Sequence, residues 1–378
     1  MNHSEHRFVS RRRFLEACTG IAATSLYALP AAGQRGTEIN EQGSGIKLQF
    51  NLVREFKNSD SYDISPDGRY VCLRVDQRRG KLRVAELGSG RAIYDTQLRE
   101  DVLIARFFAN GEALYAQTSL IDENSRYRRR YQQAVIDLKT GKLDTRLCDF
   151  RFGYFPLAAP FLLGDEHNSL GQGVTLFRVS TPDYNEIARA AFAPFQRHYP
   201  NDPDSSSPAF SADRKRVVHQ VDHALMCRST EDLNVIWTRP VEPDYHWGAW
   251  HVDMTPDGRT IVAAVIDQSA LHPQRFYVGV YNGTDGSVLA RHPISAAMGV
   301  SISHDGELMA VGDRVELPDG RIEPTVNIYE ALTGVQVGKV TDPPVAEKYS
   351  RAGISGRFTA DGKYLVTAGR DTRVWALD

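Results

Sequence analysis

A short pattern of apolar and polar positions recurs along the chain: one or two apolar residues, Ser or Thr, one variable residue, Asp-Gly, and then an apolar run. Full copies are Ile64-Ser65-Pro66-Asp67-Gly68, Met254-Thr255-Pro256-Asp257-Gly258, Ile302-Ser303-His304-Asp305-Gly306 and Phe358-Thr359-Ala360-Asp361-Gly362. Looser copies are Phe108-Ala109-Asn110-Gly111 and Phe210-Ser211-Ala212-Asp213-Arg214. Self-similarity at a regular interval is typical of a repeat architecture.

Each copy predicts the tip of a β-hairpin, because Asp-Gly or Asn-Gly between apolar stretches supplies the positive φ that a tight turn needs. The residues that follow, such as 70–73, 260–265 and 364–367, are apolar and often β-branched, which favours strands inside a sheet. A further strand, a second turn and a last short strand follow in most units, for example at 277–281, Asp285-Gly286 and 288–291. Four antiparallel strands per unit predict the blade of a β-propeller.

The spacing of the tips predicts the number of blades. Most neighbouring tips are 43 to 56 residues apart, but Asn110 and Asp213 are separated by 103. That interval has room for two units, so a degenerate blade is expected near residues 152–195. The predicted fold is an all-β, seven-bladed propeller of four-stranded antiparallel blades.

The two ends of the repeat region predict how the ring closes. The last unit stops at residues 371–378, which supply a third strand and no fourth, whereas residues 46–56 alternate as a strand before the first tip. Because an unpaired sheet edge promotes aggregation, we expect residues 46–56 to be the outer strand of the last blade. The predicted organisation is a signal peptide at 1–33, a flexible linker at 34–45 and the propeller at 46–378.

The segment Asp371-Thr372-Arg373-Val374-Trp375-Ala376-Leu377 resembles the closing part of a WD40 repeat, and the Ser-Pro-Asp-Gly phrases resemble the bacterial WD40-like and YVTN-type propeller superfamily. The resemblance covers residues 46–378 and specifies architecture more than activity. Regular Gly-His and Trp-Asp pairs are missing, which leaves open a quinoprotein-type periplasmic propeller similar to the amine dehydrogenase heavy chain.

The N-terminus resembles a twin-arginine export signal. Residues 10–16 carry Arg11, Arg12 and Arg13 before Phe14-Leu15, with Glu16 where Lys is usual. A mildly apolar segment at 17–32 ends in small residues suited to cleavage. We therefore expect engagement of the twin-arginine export machinery and a periplasmic or secreted protein. Three cysteines, Cys72, Cys148 and Cys227, would remain after cleavage. They lie in different predicted blades, too far apart for disulfide bonds, so we expect buried free thiols.

The net charge and the hydrophobic pattern limit the classes of partner that the sequence predicts. The net charge of −2 argues against general nucleic-acid binding by a basic surface. Outside the N-terminal segment no apolar run reaches the roughly 18 residues of a membrane span.

Two sets of residues could carry chemistry at the turns. An Asp closes the second strand of nearly every unit, and this set either fixes turns by accepting backbone N–H bonds, which we favour, or lines an acidic ring for a cation. Its members are Asp76, Asp122, Asp222, Asp267, Asp313 and Asp371. His219 and His223, together with His246 and His251, form a weaker metal candidate, because His219 lies in an apolar strand typical of a core residue.

A third set lies on the long connections of the face opposite the hairpin tips, the loop-rich face. Long ordered loops with aromatic and Arg residues are where binding concentrates. The predicted binding residues are Tyr245, His246, Trp247, Trp250 and His251, with Tyr154, Phe155, Arg129 and Arg351 around them. The alternative for Trp247 and Trp250 is a structural role, either plugging the channel or packing between blades.

No catalytic serine, P-loop or covalent haem motif occurs in the sequence. We therefore predict no cofactor, no metal and a binding or scaffold protein that holds a protein partner or small ligand on its loop-rich face. Two alternatives stay open: the large, non-redox-centre subunit of a periplasmic amine-dehydrogenase-like quinoprotein, and a lactonase-like propeller enzyme.

Overall fold

The computed structural model describes a chain built from β-strands. The described residues are 48–75, 81–98, 102–121, 129–148, 152–157, 161–167, 174–180, 186–191, 208–221, 224–240, 247–267, 276–294, 299–346, 354–369 and 371–377. The predicted signal peptide and linker at 1–45 lie outside them. No helix with the length and hydrophobicity of a membrane span occurs in the described part of the chain.

The first half of the chain contributes these strands: β1 (Phe50–Phe56), β2 (Ser59–Ile64), β3 (Tyr70–Val75), β4 (Lys81–Glu86), β5 (Ala92–Gln97), β6 (Val102–Phe107), β7 (Ala113–Ile121), β8 (Arg129–Asp137), β9 (Leu143–Cys148), β10 (Phe152–Pro156), β11 (Phe161–His167), β12 (Val174–Ser180) and β13 (Glu186–Ala191). The second half contributes β14 (Ala209–Phe210), β15 (Arg216–Val221), β16 (Ala224–Ser229), β17 (Val235–Pro240), β18 (Trp247–Met254), β19 (Thr260–Asp267), β20 (Phe276–Asn282), β21 (Val288–Ile294), β22 (Val300–Ile302), β23 (Leu308–Glu316), β24 (Arg321–Glu330), β25 (Gln336–Thr341), β26 (Val345–Ala346), β27 (Ser355–Phe358), β28 (Tyr364–Ala368) and β29 (Thr372–Leu377).

Consecutive strands pair into antiparallel sheets. The described strands form seven sheets with a four-strand path: β2-β3-β4-β5, β6-β7-β8-β9, β10-β11-β12-β13, β14-β15-β16-β17, β18-β19-β20-β21, β22-β23-β24-β25 and β27-β28-β29-β1; β26 adds to the edge of β24. The sheet of β10 to β13 occupies the region where the long interval between tips predicts a degenerate unit.

The recurring phrase forms the turn between the first and second strands of a sheet. In the first copy, Gly68 has φ +72°, Ser65 Oγ donates to Asp67 Oδ1 at 2.6 Å, and the N–H of Tyr70 donates to Ser65 Oγ at 2.8 Å. The same hydroxyl-to-carboxylate bond joins Thr255 to Asp257 and Ser303 to Asp305. The turn therefore needs a hydroxyl, a carboxylate and a left-handed residue at fixed offsets, which explains the recurrence of the phrase.

Apolar clusters join each sheet to the next. Phe107 and Leu114 pack with Leu82 between the first and second sheets, and equivalent clusters follow in chain order around the molecule. The last cluster brings Val366 and Val374 of the final sheet against Val71 of the first, so the ring is closed. The predicted all-β propeller with four-stranded antiparallel blades is confirmed.

The N-terminal strand completes the final sheet. β1 pairs antiparallel with β29 from Phe50 opposite Leu377 to Phe56 opposite Thr372. Phe50 and Phe56 each pack against a different apolar cluster between sheets. The predicted closure of the ring by an N-terminal outer strand is confirmed, with β1 beginning at Phe50.

Candidate functional site: the axial channel

The first strands of the sheets surround a cavity on the ring axis. Its volume is about 350 Å³, and its walls come from β2, β6, β14, β18, β22 and β27 with the hairpin tips that follow them. We call this cavity the axial channel. Asp63, Arg106, Asp253 and Arg357 give it charged walls, and His251 and His304 add imidazoles.

Three of the charged wall residues occupy one repeating position, two residues before the Ser or Thr of the tip, and a neutral Ser occupies it in the sixth sheet. This position holds Asp63 in the first sheet, Asp253 in the fifth, Ser301 in the sixth and Arg357 in the last. Three of them accept a backbone N–H from the first strand of the next sheet: Asp63 from Phe107, Asp253 from Ile302 and Ser301 from Phe358, at 2.9, 3.1 and 3.2 Å. These side chains therefore tie neighbouring sheets together at the axis.

Asp63 and Arg357 link the last sheet to the first. Arg357 Nη1 donates to Asp63 Oδ1 at 2.9 Å, while Asp63 Oδ2 accepts the N–H of Phe107. The Asp63 side chain is 8% exposed and that of Arg357 is 50% exposed. Both oxygens of Asp63 therefore accept hydrogen bonds. Arg357 uses one nitrogen for Asp63, and its remaining N–H donors face the channel.

Asp253 is the second acid of the channel. Burial raises the pKa of its carboxyl above the ordinary value, although Arg357 and the N–H of Ile302 act in the opposite direction.

Arg214 departs from the repeat. It occupies the tip position that holds a positive-φ glycine at Gly68, Gly111, Gly258, Gly306 and Gly362, and its own φ is +57°. The turn is otherwise intact, because the N–H of Arg214 donates to Ser211 O at 2.9 Å and Ser211 Oγ donates to Asp213 Oδ1 at 2.6 Å. A left-handed conformation costs a side-chain-bearing residue about 1 kcal/mol or more.

The Arg214 guanidinium lies among the walls of the axial channel. Its carbon is 5.1 Å from the centre of the Phe210 ring, and its buried Nε has no hydrogen-bond partner among the described residues. Burial lowers the pKa of Arg214, the like charge of Arg357 adds to this, and Asp63 opposes it. A cation–π contact contributes about 0.5–1 kcal/mol at exposed sites and about 2 kcal/mol or more where it is desolvated. Stacking on Phe210 can therefore offset the backbone cost, but it leaves the buried Nε of Arg214 without an acceptor in the described structure.

The predicted aromatic segment at 245–251 is a strand and not a loop from Trp247 onward. β18 pairs with β19 from Trp247 opposite Asp267 to Met254 opposite Ile261, with an irregular register between Ala249 and His251. Pairing of this strand with β19 satisfies backbone groups that a loop would leave to solvent. His251 faces the axial channel, and Trp247 and Trp250 lie on β18. Tyr245 and His246 lie outside the described residues.

The other predicted binding residues are only partly described. Tyr154 and Phe155 lie on β10, opposite Gly164 and Leu163, so the expected loop at this place is also a strand. Arg129 begins β8 opposite Ile121. Arg351 lies outside the described residues. Of the predicted binding residues, the structure brings His251 into the axial channel.

The Asp set does not form one structural class. Asp371 precedes β29 and accepts the N–H of Asn58 at 2.8 Å, and Asp313 accepts the N–H of Arg314 at 2.7 Å. Asp313 lies within β23 and not at its end, because β23 continues to Glu316 in register with β24. Asp267 is the last residue of β19. Asp76, Asp122 and Asp222 lie outside the described residues.

His219 and two of the cysteines lie in the core. His219 is 4% exposed in β15, and burial followed by the charge of Arg228 lowers its pKa to about 3. His223 lies outside the described residues. No group of three or more potential metal ligands is present in the described ranges. Cys72 and Cys227 are buried free thiols, and burial raises the pKa of Cys227 to about 11.

The sequence reasoning missed Asp63, Arg214, Asp253 and Arg357. A signal for them exists in the repeat: three are charged residues two positions before the tip hydroxyl, and Arg214 replaces a repeated glycine. Superposing the copies position by position would have exposed both departures.

Comparison of the sequence with protein-family models and with curated proteins gave no match. Among solved structures, the chain is similar to the crystal structure of the β-propeller domain of Cps50 (Swd1) from Myceliophteria thermophila. The TM-score is 0.58 at 12% sequence identity, with 87% of this chain and 100% of that chain covered. Likeness at this identity concerns the fold alone, which is a β-propeller.

Proposed function

We propose that the chain is an exported seven-bladed propeller that acts as a binding module and holds a small ligand in its axial channel. The observation that carries this is the convergence of charged side chains from separate sheets on one cavity of about 350 Å³. A concave site with a few convergent polar groups is the usual form of a small-molecule site. The seven sheets that follow a four-strand path support the proposed number of blades.

The rigidity of the walls supports this function. Asp63, Asp253 and Ser301 are held by backbone N–H groups of the neighbouring sheet, so the channel keeps its shape without a ligand. A preformed site saves the cost of ordering side chains when a ligand binds.

The export part of the proposal rests on residues 10–16, and protein binding rests on the loop-rich face. A partner protein binds there through Tyr245, His246, Trp247 and Trp250, because aromatic residues are enriched among binding hot spots. Trp247→Ala combined with Trp250→Ala should weaken partner capture by about 30-fold at unchanged melting temperature. A fall in melting temperature with unchanged capture would make these rings core residues.

The channel is tested by filling it. Ser355 is exposed on β27 and lines the axial channel, so Ser355→Trp places a large ring inside it. The matched control is Val235→Trp, at a position 47% exposed on the outer strand β17. Small molecules that raise the melting temperature of the unmodified protein and of Val235→Trp should have no effect on Ser355→Trp. Equal effects on all three proteins would place the ligand site elsewhere.

A further inference from the structure

We propose that Arg214, together with Arg357, binds the oxyanion of a small ligand, a carboxylate or a phosphate group, in the axial channel. The inference rests on the proposed function, since it names the ligand chemistry of the same cavity. Three observations support it: the place of Arg214 in the repeat, the state of its guanidinium and the charge balance of the surrounding walls.

The place of Arg214 in the repeat is strained. Five other tips carry a positive-φ glycine at this position, and Arg214 adopts the same backbone conformation with a long side chain. Strained backbone positions cluster at ligand-binding sites, where the local cost is retained for function. Glycine would satisfy the turn here as it does at Gly258 in the next sheet.

The state of the guanidinium indicates a missing partner. The Phe210 ring covers one face of the Arg214 guanidinium and so orients its plane. The Nε atom is buried without an acceptor in the described structure. Burial of an arginine is costly unless its donors are paired. A carboxylate or phosphate accepts two parallel hydrogen bonds from such a fork.

The charge balance of the walls leaves the site open to an anion. Asp63 is the carboxylate that acts on Arg214 electrostatically, but its two oxygens already accept from Arg357 and from the N–H of Phe107. Arg357 uses one nitrogen for Asp63 and stays half exposed on the channel. A ligand oxyanion between Arg214 and Arg357 would therefore complete the pairing without breaking a bond that holds the ring together.

The size of the channel favours a small ligand. A cavity of about 350 Å³ is at the lower end of the range of small-molecule sites. Succinate and inorganic phosphate are both small enough for this cavity. Comparing them distinguishes a carboxylate ligand from a phosphate ligand. Succinamide is a neutral analogue of succinate with similar shape.

The experiment is titration calorimetry on the full chain with succinate, inorganic phosphate and succinamide. We expect one of the two anions to bind and succinamide not to bind. Arg214→Gly should weaken anion binding by about 30-fold, the value of one or two lost charge-assisted hydrogen bonds, while its melting temperature stays equal or rises. Arg214→Gln keeps the strained backbone, removes the charge and should lose binding equally.

The matched control is Arg259→Gly, because Arg259 follows the tip glycine of the next sheet and its side chain is 83% exposed beside Asp257. It should bind like the unmodified protein. Binding of neither anion, or an anion affinity of Arg214→Gly and Arg214→Gln equal to that of the unmodified protein, overturns the inference. If neither anion binds but Ser355→Trp abolishes the rise in melting temperature caused by another small molecule, only the oxyanion inference fails. If small molecules raise the melting temperature of Ser355→Trp as much as that of the unmodified protein, the proposed function fails.

Discussion

Arg373 of β29 holds Glu55 of β1 by two hydrogen bonds to the same carboxylate oxygen, from Nε at 3.0 Å and from Nη2 at 2.8 Å. The Arg373 side chain is 8% exposed and also forms ion pairs with Asp342 and Asp371. One buried guanidinium therefore joins the N-terminal strand, the end of the preceding sheet and the start of β29. Burial raises the pKa of Asp342 despite this pairing.

Replacing Arg373 should destabilise the fold strongly. Arg373→Ala leaves the buried carboxylate of Asp342 without its counter-charge, and such a loss costs about 3–5 kcal/mol. The control is Arg83→Ala, which removes another two-bond pair, with Asp95, whose side chains are 34% and 42% exposed. That pair should be worth less than about 1 kcal/mol. Denaturant unfolding of both variants measures the difference, and equal losses would contradict a structural role of the buried network.

Removing β1 should open the ring. A chain that begins at residue 57 exposes the edge of β29 and loses the packing of Phe50 and Phe56. We expect aggregation or a large fall in melting temperature relative to a chain that begins at residue 46. Size-exclusion chromatography and thermal unfolding of the two chains check this; superimposable melting curves would mean that β1 does not close the ring.

Two tip glycines should respond differently to alanine. Gly362 and Gly306 both have positive φ, but a Cβ at Gly362 meets no atom within 4 Å, whereas a Cβ at Gly306 lies 3.2 Å from Thr260 Oγ1 and 3.3 Å from Thr255 Cγ2. Gly362→Ala should cost about 1 kcal/mol from the backbone alone. Gly306→Ala should cost more in the free energy of unfolding, because the Thr255 hydroxyl is held by the turn. The reverse order would show that the neighbours of Gly306 move aside freely.

The stability of the protein should fall below neutral pH because of His219. Its folded-state pKa is about 3, below the ordinary 6.5, so its contribution is present above pH 6.5 and is lost as the pH falls toward 3. Between pH 6.5 and pH 5 the loss is about 2 kcal/mol. His219→Gln should flatten this part of the pH profile of the unfolding free energy. An unchanged slope in the variant would assign the acid sensitivity to other groups.

The export prediction concerns residues 10–16. Changing Arg11 and Arg12 together to Lys should leave unprocessed protein in the cytoplasm, because the export machinery recognises the arginine pair. Arg13→Lys is the control and should be exported. Cell fractionation with detection of both precursor and mature chain measures this, and continued export of the double variant would indicate the general secretory route.

The architecture of the blades is determined by short segments of sequence. A hydroxyl, a carboxylate and a residue able to adopt positive φ within five positions build the tip in each full copy of the phrase, and the apolar runs beside it supply the strands. Because these interactions are local, the repeated hairpins and the four-stranded antiparallel blades could be predicted from the pattern alone. The loop assigned to residues 247–251 was wrong because pairing with β19 depends on a register that the local sequence does not specify.

Only the tertiary structure decided the candidate site. Asp63 and Arg357 are 294 residues apart in the chain and meet because the ring closes. In the sequence Arg214 is only a residue that replaces a turn glycine. Its assignment to the candidate site depends on its contact with Phe210, on the hydrogen bonds that the Asp63 oxygens already accept, and on a cavity bounded by several sheets. The physical reason is that charge pairing and burial are properties of distant side chains brought together, whereas turn formation is a property of neighbouring residues.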